Sequence, residues 1–224
     1  MNQKVENLKG KLIVSCQALP DEPLHSSFIM GRMANAAKEG GAAGIRAQGV
    51  EDIKEIKRVT GLPVIGIIKR NYDDSEIYIT PTKKEIDELL TTGCEMIALD
   101  CTDRKRPGDE NLAELIKYIK ENNVLVMTDI STYEEAMEAE KLGVDCVSTT
   151  LAGYTSYSVN KVGPDFELID RLVSDLKVPV IAEGKINTPE DLKEVYAHNV
   201  FSAVVGSAIT RPQLITAKFA DAIK

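Results

Sequence analysis

The chain has 224 residues, 43% hydrophobic, 28% charged and 5% aromatic, with a formal net charge of −8 at pH 7. That composition is globular, and the acidic balance argues against nucleic acid as the main partner, because phosphate backbones need clustered Lys and Arg. The N-terminal MNQKVENLKGKL has no apolar signal core and no run of 18 apolar residues occurs, so no membrane partner is expected and the cytoplasm is the expected compartment.

Taken in chain order, the first apolar burst is LIVSCQA (12–18), followed by the helical pattern SSFIMGRMANAAKEGG (26–41). AAGIRA (42–47) is the second, with VEDIKEIKRVTG (50–61) after it. PVIGIIK (63–69) is the third, and its following helix KKEIDELLTTG (83–93) opens on TKKE (82–85), a capping box. MIALDC (96–101) precedes NLAELIKYIKENN (111–123), whose Leu112, Leu115, Ile116 and Ile119 form one apolar stripe. VLVMTDI (124–130) precedes TYEEAMEAEKLG (132–143), which ends on Gly143 as a C-cap. CVSTTL (146–151) precedes the amphipathic DFELIDRLVSDL (165–176). PVIAEG (179–184) precedes TPEDLKEVYAHN (188–199), with Thr188 at the N-cap and Pro189 at the first helical position. SAVVGSA (202–208) is the eighth burst.

The bursts are nearly continuous in Val, Ile, Leu and Ala, as strands buried on both faces of a parallel sheet require. Eight strand–helix alternations predict a closed (β/α)₈ TIM barrel occupying residues 1–224 as one domain. An open doubly wound sheet is the alternative, but QALPDEP (17–23) stands where a G-x-G-x-x-G fingerprint would follow the first strand. Two longer loops are expected, at 71–81 and 153–164.

Cys16, Cys94, Cys101 and Cys146 form no C-x-x-C pair and read as reduced core thiols. The two histidines, His25 in a Pro-rich loop and His198 near a helix end, are too few for a His-rich metal site. The strand ends are more informative, because a barrel's chemistry sits where its strands end. In order they carry Gln17, Arg46, Lys69, Asp100, Asp129, Thr149, Glu183 and Gly206. Five charges converging on one partly dry space must pair or bind something. The pleat allows only one of Lys69 and Arg70 to point inward, and puts Arg46 and Gln48 on one face. EGKI (183–186) and VGSAIT (205–210) place glycines before helix starts after the seventh and eighth strands, where barrels frequently bind phosphate, and Arg211 follows closely.

SCQA, AAGIRAQG, VIGIIKR, LDCT, MTDIST, STTLAGYT, VIAEGKI and VGSAITRP, spread over the whole chain, together resemble the N-acetylmannosamine-6-phosphate 2-epimerases (N-acylglucosamine-6-phosphate 2-epimerases). The resemblance implies a (β/α)₈ barrel of the phosphate-binding type. It implies an isomerase of bacterial sialic acid catabolism that interconverts N-acetylmannosamine 6-phosphate and N-acetylglucosamine 6-phosphate with no redox cofactor and no metal. It assigns the proton chemistry to Lys69 and Glu183, sugar contacts to Gln17, Arg46 and Asp129, and the neighbourhood of the phosphate to Gly184, Gly206, Ser207 and Arg211. The loop at Tyr154 and Thr155 would help to close over the ligand.

Elementary chemistry agrees. The C2 hydrogen of an amino sugar is acidic only when C1 is an aldehyde, so the ring opens first, and the enolate needs an electrophile near O1, supplied by Arg46 or Gln17. A base removes the proton and an acid returns one to the opposite face. Lys69 and Glu183 come from strands four apart around the ring, which suits two bases exchanging roles with direction; one base, Lys69 alone, is the other scheme. A Lys69–Glu183 ion pair at the barrel floor and Schiff-base chemistry at Lys69 are the competing uses of these side chains. Among other barrels, decarboxylases with Asp-x-Lys are disfavoured because Thr102 stands two beyond Asp100, and metal-dependent pentose epimerases because no strand ends on His. A phosphosugar sensor would keep the glycine turns without needing both Lys69 and Glu183. An acidic surface with few aromatics fits a monomer or a homodimer.

Overall fold

The computed structural model describes residues 3–224. After a short α1 (Gln3–Glu6), strands and helices alternate: β1 (Leu12–Cys16), α2 (Ser27–Glu39), β2 (Gly44–Gln48), α3 (Val50–Thr60), β3 (Val64–Ile67), α4 (Lys83–Leu90), β4 (Met96–Asp100) and α5 (Leu112–Glu121). The second half repeats the scheme with β5 (Leu125–Asp129), α6 (Tyr133–Lys141), β6 (Cys146–Ser148), α7 (Phe166–Asp175), β7 (Val180–Glu183), α8 (Pro189–Ala197) and β8 (Ser202–Val205). The chain ends on α9 (Ser207–Thr210) and α10 (Pro212–Asp221). All eight strands are parallel neighbours in sequence order, and β8 pairs back onto β1, with Ile13 opposite Val204. The ring is closed, which removes the doubly wound alternative.

The pleat divides each strand between two cores. Ile13, Ile65, Ile67, Met96, Ala98, Met127, Cys146, Ile181 and Val204 pack together inside the ring, and Val5 and Leu8 near α1 join the same cluster. Val14, Cys16, Ile45, Ala47, Val64, Ile97, Leu99, Val126, Val147 and Val180 face outward onto apolar helix residues such as Ile53, Ile86, Ile116 and Leu172. Each buried Ile or Leu contributes roughly 1.5–3 kcal/mol, so a one-residue slip of any strand would reverse its faces at large cost. Gly66 shows how tight the outer layer is: a Cβ there would lie 3.0 Å from the Cys94 sulfur and 3.1 Å from Ile53 and Leu89. All four cysteines are free and buried.

Capping boxes start α4 at Thr82, α6 at Thr132 and α8 at Thr188, so the TKKE reading holds. Several details depart from the sequence reading. The C-cap of α6 is Leu142, and Gly143 comes one position later at φ 79°. β3 ends at Ile67, short of Lys69. The expected loop at 71–81 is present and is ordered by the backbone: it returns antiparallel to the strand exit, with a Lys69–Ile79 bridge, Arg70 N donating to Tyr78 O at 3.0 Å and Thr80 N to Ile68 O at 2.8 Å. α9 begins at Ser207 directly after Gly206, where a helix start was expected, but α1, α10 and a 3₁₀ turn at Pro107–Asp109 were not anticipated, being short or, for α10, lacking any buried residue to impose a clear apolar stripe. Among the described residues no helix is long and apolar enough to cross a membrane.

Candidate active site

Several inward faces that are apolar low in the ring turn polar at their C-terminal ends, two residues further on. Ile67 is followed by Lys69, Met127 by Asp129 and Ile181 by Glu183, while β6 is already polar at Ser148 and continues to Thr150. Lys69, Thr150 and Glu183 border a cavity of about 360 Å³ at the mouth, within the usual range for a small-molecule site. Gln17, Arg46, Lys69, Tyr154, Glu183, Gly184, Gly206, Ser207 and Arg211 all line it, together with Ser15, Tyr78, Thr150, Lys185 and Asn187. Asp129 and Thr155 do not border it.

Asp129 stands behind Arg46. Its two oxygens take the guanidinium in a fork, Nη1 to Oδ1 at 2.9 Å and Nη2 to Oδ2 at 2.5 Å, with both side chains buried. Arg46 Nη1 also donates to Glu183 Oε2 and, at 3.0 Å, to Thr150 Oγ1. Burial works against the Arg46 charge, but Asp129 and Glu183 outweigh it and raise its pKa further. The Glu183 carboxyl is pushed up, first by burial and then by Asp129, against the pull of Arg46. The backbone of Glu183 is clamped by Thr149, whose Oγ1 accepts from Glu183 N at 3.0 Å and donates to Glu183 O at 2.9 Å. Thr149 therefore turns away from the cavity, and Thr150 takes the inward place expected for it. Asp100 is likewise absorbed elsewhere, by Arg104 at 2.7 Å and the Thr102 hydroxyl at 2.6 Å.

Lys69 is held out by the antiparallel return, while its neighbour Arg70 turns away to Glu85 and to Glu88. No hydrogen bond or ion pair joins the Lys69 ammonium to any of the described residues, and it does not pair with Glu183. Burial, then the Arg46 and Arg211 charges, push its pKa down to about 8, although Glu183 and Glu22 oppose this. Gln17 gives its amide nitrogen to Ser15 Oγ at 2.8 Å and leaves Oε1 buried without a partner; Arg46 Nε is in the same condition. Two cavity-lining side chains thus carry an orphan acceptor and an orphan donor, which are costly unless something occupies them.

The glycine loops after β7 and β8 flank the other side. Gly184 has φ +104°, a conformation an L side chain resists. At Gly206 a Cβ would lie 3.3 Å from Ser15 Cβ, so its absence lets β1 and the last loop approach. Arg211 reaches Ser207 Oγ at 3.1 Å and pairs with Glu22 at 2.7 Å. Lys185, in left-handed backbone at φ 57°, donates to Asn160 Oδ1 at 2.7 Å and Lys161 O at 2.8 Å, with its ammonium 5.4 Å from the Tyr154 ring centroid. Tyr154 is exposed on the rim. Thr155 is buried and fastens the loop to Ser131 and Ser158, and Tyr157 donates to Glu135 Oε1 at 2.5 Å. Among the described residues no group of three or more His, Cys, Asp or Glu is arranged to hold a metal ion.

Most of the residues the sequence reading passed over had visible signals. Ser15 and Thr150 follow from parity with Gln17 and Ser148, and Lys185 lay inside the EGKI segment. Tyr78 had none, because only the backbone return brings it to the mouth.

Fold and site define a (β/α)₈ barrel with a pocket at the C-terminal mouth of its strands that is lined by an ammonium and a carboxyl group. A family model described as "Putative N-acetylmannosamine-6-phosphate epimerase" matches residues 30–224, and the chain belongs to that family. It is 74% identical, over 98% of its length and 99% of the relative's, to a "Putative N-acetylmannosamine-6-phosphate 2-epimerase" of Clostridioides difficile strain 630. A solved structure described as "Structural and biochemical characterization of the N-acetylmannosamine-6-phosphate 2-epimerase from Clostridium perfringens" is 67% identical, covers 97% of this chain and 95% of its own, and superposes with a TM-score of 0.95. A thiamine phosphate pyrophosphorylase from Pyrococcus furiosus, 21% identical with TM-score 0.62 over 93% of this chain and 90% of its own, shares the fold alone.

Proposed function

We propose that this chain is an isomerase that inverts C2 of N-acetylmannosamine 6-phosphate to give N-acetylglucosamine 6-phosphate. Its setting is sialic acid and amino sugar catabolism in the cytoplasm, where charge retains a phosphorylated sugar, and residues 1–224 act as one barrel domain. The names of its relatives support the substrate. The observation that carries the chemistry is that an unpaired ammonium, Lys69, and a carboxyl group, Glu183, line one cavity without neutralising each other.

The reaction is redox-neutral and needs only proton transfer. In the ring-opened aldehyde, one of the pair removes the C2 proton, the C–H electrons move into the C1–C2 bond, and O1 gains charge as the enolate forms. The other delivers a proton to the opposite face of C2, and the carbonyl is restored. Arg46 is the cation suited to the developing charge, since Asp129 holds it fixed and ionised. Gln17, its amide nitrogen engaged by Ser15, has an acceptor to offer a substrate N–H or hydroxyl. The phosphate has its place between the Gly184 and Gly206–Ser207 turns, with Arg211 and Lys185 supplying positive charge.

The test is to incubate the protein with N-acetylmannosamine 6-phosphate in D₂O and follow C2 by NMR. Formation of N-acetylglucosamine 6-phosphate carrying deuterium at C2 is expected of two bases. Frequent return of the original hydrogen in both directions overturns the two-base scheme in favour of Lys69 alone. Binding without conversion overturns the enzyme and leaves a phosphosugar sensor. Trapping of substrate on Lys69 by borohydride overturns the acid–base role in favour of a Schiff base.

A further inference from the structure

We propose that Thr150 is a positioning residue for Glu183: its hydroxyl turns between Asp129 and Glu183 as Glu183 loses and gains a proton, keeping the carboxyl group in one place through both halves of the reaction. The reaction in which this matters is the one proposed above; the switch itself follows from counting protons.

Arg46 Nη1 carries two protons and has three acceptors within reach: Asp129 Oδ1 at 2.9 Å, Thr150 Oγ1 at 3.0 Å and Glu183 Oε2. The fork with Asp129 fixes one of them. The second must go to Thr150 or to Glu183. Thr150 has one hydroxyl proton and two carboxylate oxygens to choose from, Asp129 Oδ1 at 2.7 Å and Glu183 Oε2 at 3.1 Å. Ser148 lies 2.8 Å from the Thr150 oxygen, is fully buried, and has no other hydrogen-bond partner for its hydroxyl among the described residues. Its proton therefore points to Thr150.

Two arrangements satisfy both Arg46 Nη1 protons and the hydroxyl protons of Thr150 and Ser148. With Glu183 ionised, Thr150 and Arg46 both donate to Oε2. With Glu183 protonated, Thr150 donates to Asp129 instead, and its oxygen accepts from Arg46 and Ser148. A hydroxyl has one donor and two lone pairs, which is what the second state uses in full. Between the two states one hydroxyl rotates and no carboxyl oxygen moves, so the proton transfer needs little reorganisation around its carrier. A valine of the same shape cannot do this, and leaves the buried Ser148 hydroxyl stranded. The ionisable groups facing Glu183 are Arg46 from β2, Asp129 from β5 and Lys69 beyond β3, so a change at Thr150 alters none of their charges directly.

The test compares wild type with Thr150→Val and Thr150→Ser by two readouts. The first is the Glu183 carboxyl ¹³C titration, which needs no turnover. Removing a donor to the ionised form disfavours that form, so the midpoint in Thr150→Val is expected about one pH unit above wild type, with Thr150→Ser close to wild type. The second is epimerisation. Thr150→Val is expected to lose about tenfold in kcat with KM changed less than about twofold, its acid limb moving up with the titration, and Thr150→Ser restores both. Should Thr150→Val not fold, Thr150→Ala carries the same measurements. An unmoved midpoint, a loss confined to KM, or no recovery with serine overturns the role of Thr150. A shifted midpoint in a protein that never epimerises overturns the proposed function and leaves the switch standing.

Discussion

Replacing Lys69 with methionine removes an ammonium that the fold holds at some expense. Its pKa falls from an ordinary 10.5 to about 8, which at 1.36 kcal/mol per pK unit corresponds to about 3 kcal/mol. Water reaching the open mouth reduces that to about 1–3 kcal/mol. The sign follows from protonation. Below pH 8 the lysine is charged in both folded and unfolded chains, and only the folded state bears the cost. Between pH 8 and 10.5 the folded state releases its proton first and the cost fades; above 10.5 neither state is charged and it is gone. Lys69→Met is therefore expected to be more stable than wild type by about 1–3 kcal/mol at pH 7, and nearly equal to it near pH 10.5. Urea denaturation followed by far-UV circular dichroism at the two pH values measures the gap. A variant less stable than wild type at pH 7, or a gap of the same size at both pH values, refutes the reasoning. The same variant should lose about 10³-fold in kcat/KM, since it lacks one of the two proton carriers proposed above.

The pH profile of kcat/KM should be a bell with a basic limb near pH 8, set by Lys69, and an acid limb above the ordinary carboxylate range, set by the raised Glu183. It should be the same bell in both directions, because the two reactive forms differ only in which group holds one proton; different limbs for the two substrates would exclude a shared pair. Asp129→Asn breaks a buried fork and leaves the Arg46 charge half-matched, so a loss of about 3–5 kcal/mol is expected by denaturation; stability within about 1 kcal/mol of wild type would show that Glu183 alone holds Arg46. Gly184→Ala puts a side chain at φ +104° and should cost about 1–2 kcal/mol while raising KM for the phosphosugar more than it lowers kcat; an unchanged KM would remove this turn from the phosphate's surroundings.

The ring of eight strands was legible because each strand is a nearly unbroken apolar run between caps and turns, and burial on both faces leaves few other ways to fold such runs. The mouth was legible in part. Arg46 and Glu183 lie within regular strands, where the two-residue period carries an inward face straight to its polar end. Thr149 was read as the end of the sixth strand, yet the inward series there runs through Cys146 and Ser148 to Thr150; adjacent threonines look alike until the register is fixed. Lys69 lies past the regular part of β3, so its direction depends on the backbone bonds of its neighbours Ile68 and Arg70 to Thr80 and Tyr78, contacts that local sequence does not encode. For the same reason the place of Asp129 behind Arg46, rather than on the cavity wall, could not be read: it depends on a side chain 83 residues away.

The Arg46 fork joins side chains from β2, β5 and β7, and the cavity it borders is finished only when β8 zips onto β1. Most of the chain must be in place before Lys69 and Glu183 have their surroundings. A partly assembled ring, however helical, is chemically mute, and Lys69 in it is an ordinary surface amine. Recovery of turnover during refolding thus times the closing of the circle, a late and non-local event, and serves as a clock for that one step where spectroscopic signals of secondary structure would already have saturated.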